Sequence, residues 1–170
     1  MANIFPSGPG DNEGSVSWSG VSGSPTVTNS TDYAVTGVQS VKAVSVSNAA
    51  LAIAIAYGDR ITCLPSTSYT TTFNVRASAS RWISAAINWY TSGGSYISTT
   101  VLDGAGNANT GAWENRVDVS TSPGTAGSFT LKFDYDSNTT GQAFYADNIT
   151  VDDGVSAIKG INPLLLIGLA

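Results

Sequence analysis

Bulky apolar side chains recur at every second position through most of this 170-residue chain, and no segment repeats them at the spacing of a helix over three or four turns. Phe129, Leu131, Phe133 and Tyr135 form one such series, and Ile83, Ala85, Ile87 and Trp89 another. Tyr69, Thr71, Phe73 and Val75 alternate with Thr70, Thr72, Asn74 and Arg76, while Leu51, Ile53, Ile55 and Tyr57 alternate with alanines. Residues two apart lie on one face of an extended segment, so each series builds a strand with one buried face. Turn-forming runs such as Ser92-Gly93-Gly94-Ser95 separate them. The chain is therefore expected to be all-β, an antiparallel sandwich of about eight to ten strands. By the same rule Trp113, Asn115, Val117 and Val119 share a face opposite Glu114, Arg116 and Asp118. This assigns Trp113, like Trp89, to the core and Arg116 to the outside.

Three parts are expected. Residues 1–24 are rich in Gly, Pro and Ser and read as an irregular lead-in anchored by a buried Trp18. Residues 25–154 form the sandwich, beginning with strands over 26–35 and, after a turn at Gly37, over 38–47. Residues 155–170 form a tail in which Leu164, Leu165, Leu166, Ile167 and Leu169 make an apolar run. That run is too short to span a bilayer and is interrupted by Pro163 and Gly168, which suits a peg for assembly with another subunit or a second copy.

Composition removes several functions. With no histidine and one cysteine, Cys63, the chain has no Ser-His-Asp or Cys-His machinery, no intrachain disulfide and no cysteine-based zinc site. A net charge of −5 with only 7 Lys and Arg argues against nucleic acid. Charged residues are 11% of the chain, against roughly 25% in ordinary soluble domains, which suits a protein held in an assembly or outside a cell. The opening Met1-Ala2-Asn3-Ile4-Phe5-Pro6 has no basic segment leading into an apolar one, so no signal peptide is expected. The acidic pairs Asp134/Asp136 and Asp152/Asp153 read as solvated strand-end residues rather than a glycosidase pair, and the chain as non-enzymatic.

One segment poses a problem. In Phe144 to Gly154 strict alternation puts Tyr145, Asp147, Ile149 and Val151 on one side. An ionised carboxylate cannot sit unpaired in an apolar layer, so Asp147 must find donors, a cation or an opening to solvent.

This last segment, aromatic-x-Asp-Asn-aliphatic-x-aliphatic, resembles the closing strand of the galactose-binding-like jelly rolls, which include carbohydrate-binding modules of families 4, 9 and 22. Gly37-Val38-Gln39-Ser40-Val41 resembles their Gly-x-x-Ser-aliphatic strand, and Pro65-Ser66-Thr67-Ser68-Tyr69-Thr70 their Pro-x-x-x-Tyr-Thr strand. The run from Ile87-Asn88-Trp89-Tyr90 through Gly94 to Tyr96-Ile97-Ser98 is similar to their central hairpin, and Glu13 with Trp18 to their opening segment. The resemblance covers residues 18–153 and implies a jelly roll. It further implies a structural calcium ion held by Asp147 and Glu13, because calcium favours hard oxygen ligands.

Such modules bind glycans by stacking sugar faces on exposed aromatic rings, with polar side chains taking the hydroxyls. Trp82 and Tyr90 on the outer face of one strand, with Asn88 between them and Arg76 and Arg116 from neighbouring strands, are the expected platform. Similar sandwiches occur in bacteriophage tail and surface proteins. The resulting expectation is a structural protein of a phage virion, a minor tail or capsid-surface component made in the host cytoplasm. Its partners would be other virion proteins, copies of itself and cell-surface polysaccharide. The alternative is a carbohydrate-binding module that works outside the cell.

Overall fold

Alternation becomes strand wherever the bulky positions can meet a second sheet. The computed structural model describes residues 4–5, 17–35, 37–102, 106–107 and 110–154. Glu13 and the tail leucines expected to form a peg lie outside these residues. Among the described residues there are twelve strands: β1 (Trp18–Ser22), β2 (Thr26–Ser30), β3 (Ser40–Val44), β4 (Leu51–Ile55), β5 (Ile61–Thr62), β6 (Ser68–Ala77), β7 (Trp82–Tyr90), β8 (Tyr96–Val101), β9 (Gly106–Asn107), β10 (Glu114–Thr121), β11 (Ser128–Tyr135) and β12 (Ala143–Asp152). A 3-10 turn, Tyr57–Asp59, follows β4.

The strands make two sheets, each antiparallel throughout. One runs β1-β4-β11-β7-β8, with β5 added to β11 and β9 to β7; the other runs β10-β6-β12-β3-β2. The expected all-β sandwich of jelly-roll type is what the chain forms. Between the sheets the aromatic series interlock. Phe73 and Phe144 of the five-stranded sheet meet Phe133 of the seven-stranded sheet with ring centroids 5.3 and 6.1 Å apart, and Tyr135 meets Phe144 at 5.6 Å. All four are fully buried. Two polar tips of core rings find partners: Trp89 Nε1 donates to Thr100 Oγ1 at 2.9 Å, and the Tyr135 hydroxyl to the Ala79 carbonyl at 3.1 Å.

Two departures from the sequence reading concern which way a strand faces. Trp18 is not in an irregular lead-in but opens β1, which pairs with β4 at the sheet edge. Its indole packs on Phe133 at 5.6 Å, as expected of an anchor. The four residues after Trp18 are exposed, so the strand has no apolar alternation by which to announce itself.

The second departure is β10, whose faces are the reverse of those expected. Its register against β6 sets Arg116 opposite Phe73 and Asp118 opposite Thr71, on the interior side, while Val117 and Val119 point out and are 56% and 62% exposed. Arg116 is buried. Its guanidinium spans the open edge between the sheets, donating from Nη1 to the Ile83 carbonyl at 2.9 Å, from Nη2 to the Gly106 carbonyl at 3.1 Å, and from Nε to Glu114 at 3.2 Å. A planar fork with five donors is suited to closing two main-chain acceptors and a carboxylate at once, which is why a charged residue occupies this interior position.

Candidate functional site

β12 resolves the problem of its buried acid by breaking its own period. Asp147 pairs with Asn74 of β6 but Thr150 pairs with Thr72, so three steps along β12 match two along β6. The extra residue is a β-bulge, and Asn148 within it has a φ of 50°, a left-handed conformation that asparagine tolerates. Before the bulge Tyr145 and Asp147 point outward with Arg76 and Asn74. After it Ile149 and Val151 point inward and are fully buried. The acid and the aliphatic residues that strict alternation put on one face therefore lie on opposite faces of the sheet.

Asp147 is nevertheless fully buried, because a loop crosses the sheet above it. The strand expected to reach Val35 stops at Ser30, where the Ser30 hydroxyl accepts from the Asp32 N–H at 3.2 Å and bends the chain. The Val35 N–H then donates to Asp147 Oδ2 at 2.6 Å, a charge-assisted bond that ties the loop to β12. Among the described residues no three of His, Cys, Asp and Glu gather into a metal-binding group. Glu13, the second ligand of the expected calcium site, lies outside the described residues.

The loop carries Tyr33 onto the outward face. Its ring meets Tyr145 edge-on, with centroids 4.9 Å apart, and the Arg76 guanidinium lies over the Tyr33 ring at 3.7 Å. Tyr33 is 39% exposed, and Arg76 forms no ion pair among the described residues. On the far side of Tyr145, Lys42 bonds Asp32 at 2.6 Å, with its ammonium 5.5 Å from the Tyr145 ring centroid. This hydrogen bond holds the Asp32 carboxyl below its ordinary pKa and the Lys42 ammonium above its own, while burial pushes the Tyr145 phenol up. Lys42 and Asp32 neutralise each other, and Arg76 is left as the free cation of the face among the described residues.

Next to this aromatic corner lie three amides. Asn74 Oδ1 accepts from Asn115 Nδ2 at 3.2 Å and from Asn148 Nδ2 at 3.3 Å, which joins β6, β10 and the bulge of β12. The β10 register, carried back one residue, sets the half-buried Trp113 across from Arg76. The face expected to be core thus supplies Trp113 and Asn115 to the outside. Rings, a guanidinium and side-chain amides on one surface can hold a ligand that is apolar on its flat faces and hydroxylated around its rim.

The expected platform is not assembled. Arg76 belongs to the outward face of the five-stranded sheet, and Arg116 is buried between the sheets. Trp82, Asn88 and Tyr90 do share the outward face of β7, and Trp82 is 52% exposed. Trp82 and Tyr90 are, however, eight positions apart, which at roughly 3.3 Å per residue separates them by about 26 Å. Of the expected residues that are described, only Arg76 and Asp147 come together on the outward face of the five-stranded sheet. Tyr33 and Tyr145 were missed because alternation does not report a loop that folds back or a period that shifts. The signal available was the Asn148 that interrupts an otherwise aliphatic strand.

No family model matches the sequence, and no curated protein matches it. Solved structures do match in shape. The family 22 xylan-binding module of a Paenibacillus barcinonensis xylanase superposes with a TM-score of 0.63 at 16% identity, over 92% of this chain and 95% of the module. A Clostridium thermocellum xylanase fragment joining a family 22 module to its catalytic module, complexed with xylohexaose, gives 0.65 at 14% identity over 81% of this chain; the match spans 26% of that longer chain. The enzymatically active domain of tailspike protein 4 from bacteriophage CBA120 gives 0.63 at 18% identity over 88% of this chain and 21% of its own. The chain has the jelly-roll fold of carbohydrate-binding modules.

Proposed function

We propose that this chain is a non-catalytic polysaccharide-binding domain that lays a sugar chain across the outward face of its five-stranded sheet. The observation that carries the proposal is the corner at Tyr33, where a guanidinium free of ion pairs among the described residues is stacked on a partly exposed ring by a loop that Asp147 ties down. A pyranose ring has C–H groups on its faces and hydroxyls around its rim. The partly exposed Tyr33 ring, backed edge-on by the buried Tyr145, offers an apolar surface to the former, and Arg76, Asn115 and Asn148, braced by the buried Asn74, offer polar groups to the latter. Similarity to xylan-binding domains supports the ligand class by analogy.

Affinity electrophoresis tests it. Migration through gels containing soluble xylan or β-1,4-galactan should be slower than in blank gels, and Tyr33→Ala or Arg76→Ala should raise the polysaccharide concentration needed for half-maximal retardation at least tenfold. Wild-type migration unchanged by any polysaccharide in the panel would overturn the proposal.

The likeness to a phage tailspike domain favours a second, finer reading, in which the domain is a tail or capsid-surface component that meets host polysaccharide. Detection of the chain in purified particles would support that placement. A glycoside hydrolase domain in the same gene would instead assign it to an appended module.

A further inference from the structure

A second aromatic group lies on the other sheet and shares no residue with the face just described. Tyr90, at the end of β7, stands between Tyr57 and Tyr96, with ring centroids 5.6 and 6.0 Å away and interplanar angles of 81° and 73°. Tyr57 and Tyr96 are 56% and 59% exposed. The three rings therefore form a stepped notch, each nearly perpendicular to the next.

The notch is held in place by its polar atoms. The Tyr57 hydroxyl donates to the Gly94 carbonyl at 2.6 Å, and the Arg60 guanidinium covers one face of the Tyr57 ring at 3.7 Å while donating to the Tyr57 carbonyl at 2.9 Å. On the other side the hydroxyls of Tyr96 and Thr99 are hydrogen-bonded at 2.8 Å, and Thr99 donates to Asn88 Oδ1 at 2.7 Å. Gly94 is needed twice over: its φ is 88°, and a Cβ there would lie 2.5 Å from the Tyr57 hydroxyl. Exposed tyrosines on a surface are ordinary, but here the hydroxyls of the two exposed rings, Tyr57 and Tyr96, are turned to internal partners, so that it is the rings they present to solvent.

We infer that this tyrosine notch is a second glycan-binding site, which takes one or two sugar units of the polysaccharide held by the first. Two observations select a sugar over a protein partner. The exposed parts of the three rings amount to roughly 300 Å², since a whole aromatic side chain buries 150–250 Å²; a stable protein interface needs about 800 Å² from each partner. The notch also carries polar groups at its rim, the Asn88 amide nitrogen and the Arg60 guanidinium, placed to meet hydroxyls beside the rings. The inference takes its ligand class from the reading above but none of its residues.

Two sites on opposite sheets turn each binding event on a long or cross-linked polysaccharide into an aid to the next, so retention exceeds that of either site alone. The test is a chemical-shift titration of the full chain with xylohexaose and with β-1,4-galactotriose, on the wild type, on Tyr33→Ala/Arg76→Ala and on Tyr57→Ala/Tyr96→Ala. Shifts at Tyr90 and the Asn88 amide that persist in the first double variant and vanish in the second are expected, together with at least a tenfold loss of retention on insoluble polysaccharide for either. Shifts confined to the Tyr33 face would overturn the second site and leave the first standing. Shifts confined to the notch would do the opposite, and shifts at neither would overturn both.

Discussion

Replacing Arg116 with Ala tests the orientation of β10 directly. The change removes the donors that reach the Ile83 and Gly106 carbonyls across the sandwich edge. Hydrogen bonds from a charged donor contribute about 1.5–3 kcal/mol each, and breaking a buried charged network commonly costs about 3–5 kcal/mol. The Glu114 carboxylate adds little, because its side chain is 32% exposed and water can replace its partner. A loss of about 3–5 kcal/mol is therefore expected in urea unfolding, which for a domain of this size lowers Tm by roughly 6–20 °C. Arg116→Lys should recover only part of it, since an ammonium cannot fork between two carbonyls. The companion change is Val119→Lys on the opposite face, where a 62% exposed side chain should tolerate the charge within about 0.5 kcal/mol. If Arg116→Ala is neutral and Val119→Lys costs several kcal/mol, β10 faces the other way and the reasoning about this edge fails.

Three further outcomes are expected. Asp147→Ala should cost on the order of 1–3 kcal/mol by leaving the Val35 N–H without its acceptor, and should raise the rate of proteolysis within residues 31–38; equal rates in variant and wild type would contradict the tether. Burial pushes the Cys63 thiol up from 9.0 to about 11, so its contribution to stability is complete below pH 9 and is lost as pH rises toward 11. Native protein should resist iodoacetamide at pH 8, and Cys63→Ala should show a shallower alkaline decline in urea midpoint than wild type. Trp82→Ala should leave polysaccharide retention unchanged and stability within about 0.5 kcal/mol, because the ring is half exposed, on the sheet away from Tyr33 and at the opposite end of β7 from Tyr90; a loss of retention would restore it to a site.

How much of this was legible in the sequence depended on whether burial alone set the pattern. The facing of β6, β7 and β11 was read correctly because each turns its large apolar residues to the core and its polar ones away from it, and hydrophobicity records that division. β10 misread because its valines are outward and its arginine is held inside by hydrogen bonds, which a hydrophobic pattern cannot register. β1 was hidden by having one apolar anchor and four exposed residues. The Tyr33 corner could not be read at all, since it depends on a loop tied to a strand more than a hundred positions away. Asp147 was the exception: its cost in an apolar layer marked it as needing a partner, and a backbone donor from that loop is what it has.

The extra residue at Asn148 also acts as an alignment mark. In a regular strand a slip of two positions keeps every side chain on its proper face, so such a slip is weakly opposed. Here the parity of β12 reverses partway along, and any slip against β6 would drag the reversal past its partner. Two positions one way would turn Asp147 toward the phenylalanines, and two the other way would turn Ile149 toward water. Only one pairing of these strands keeps both halves in their own medium. The bulge that lets a single strand serve core and surface is thus also what denies the sheet its nearest competing arrangement.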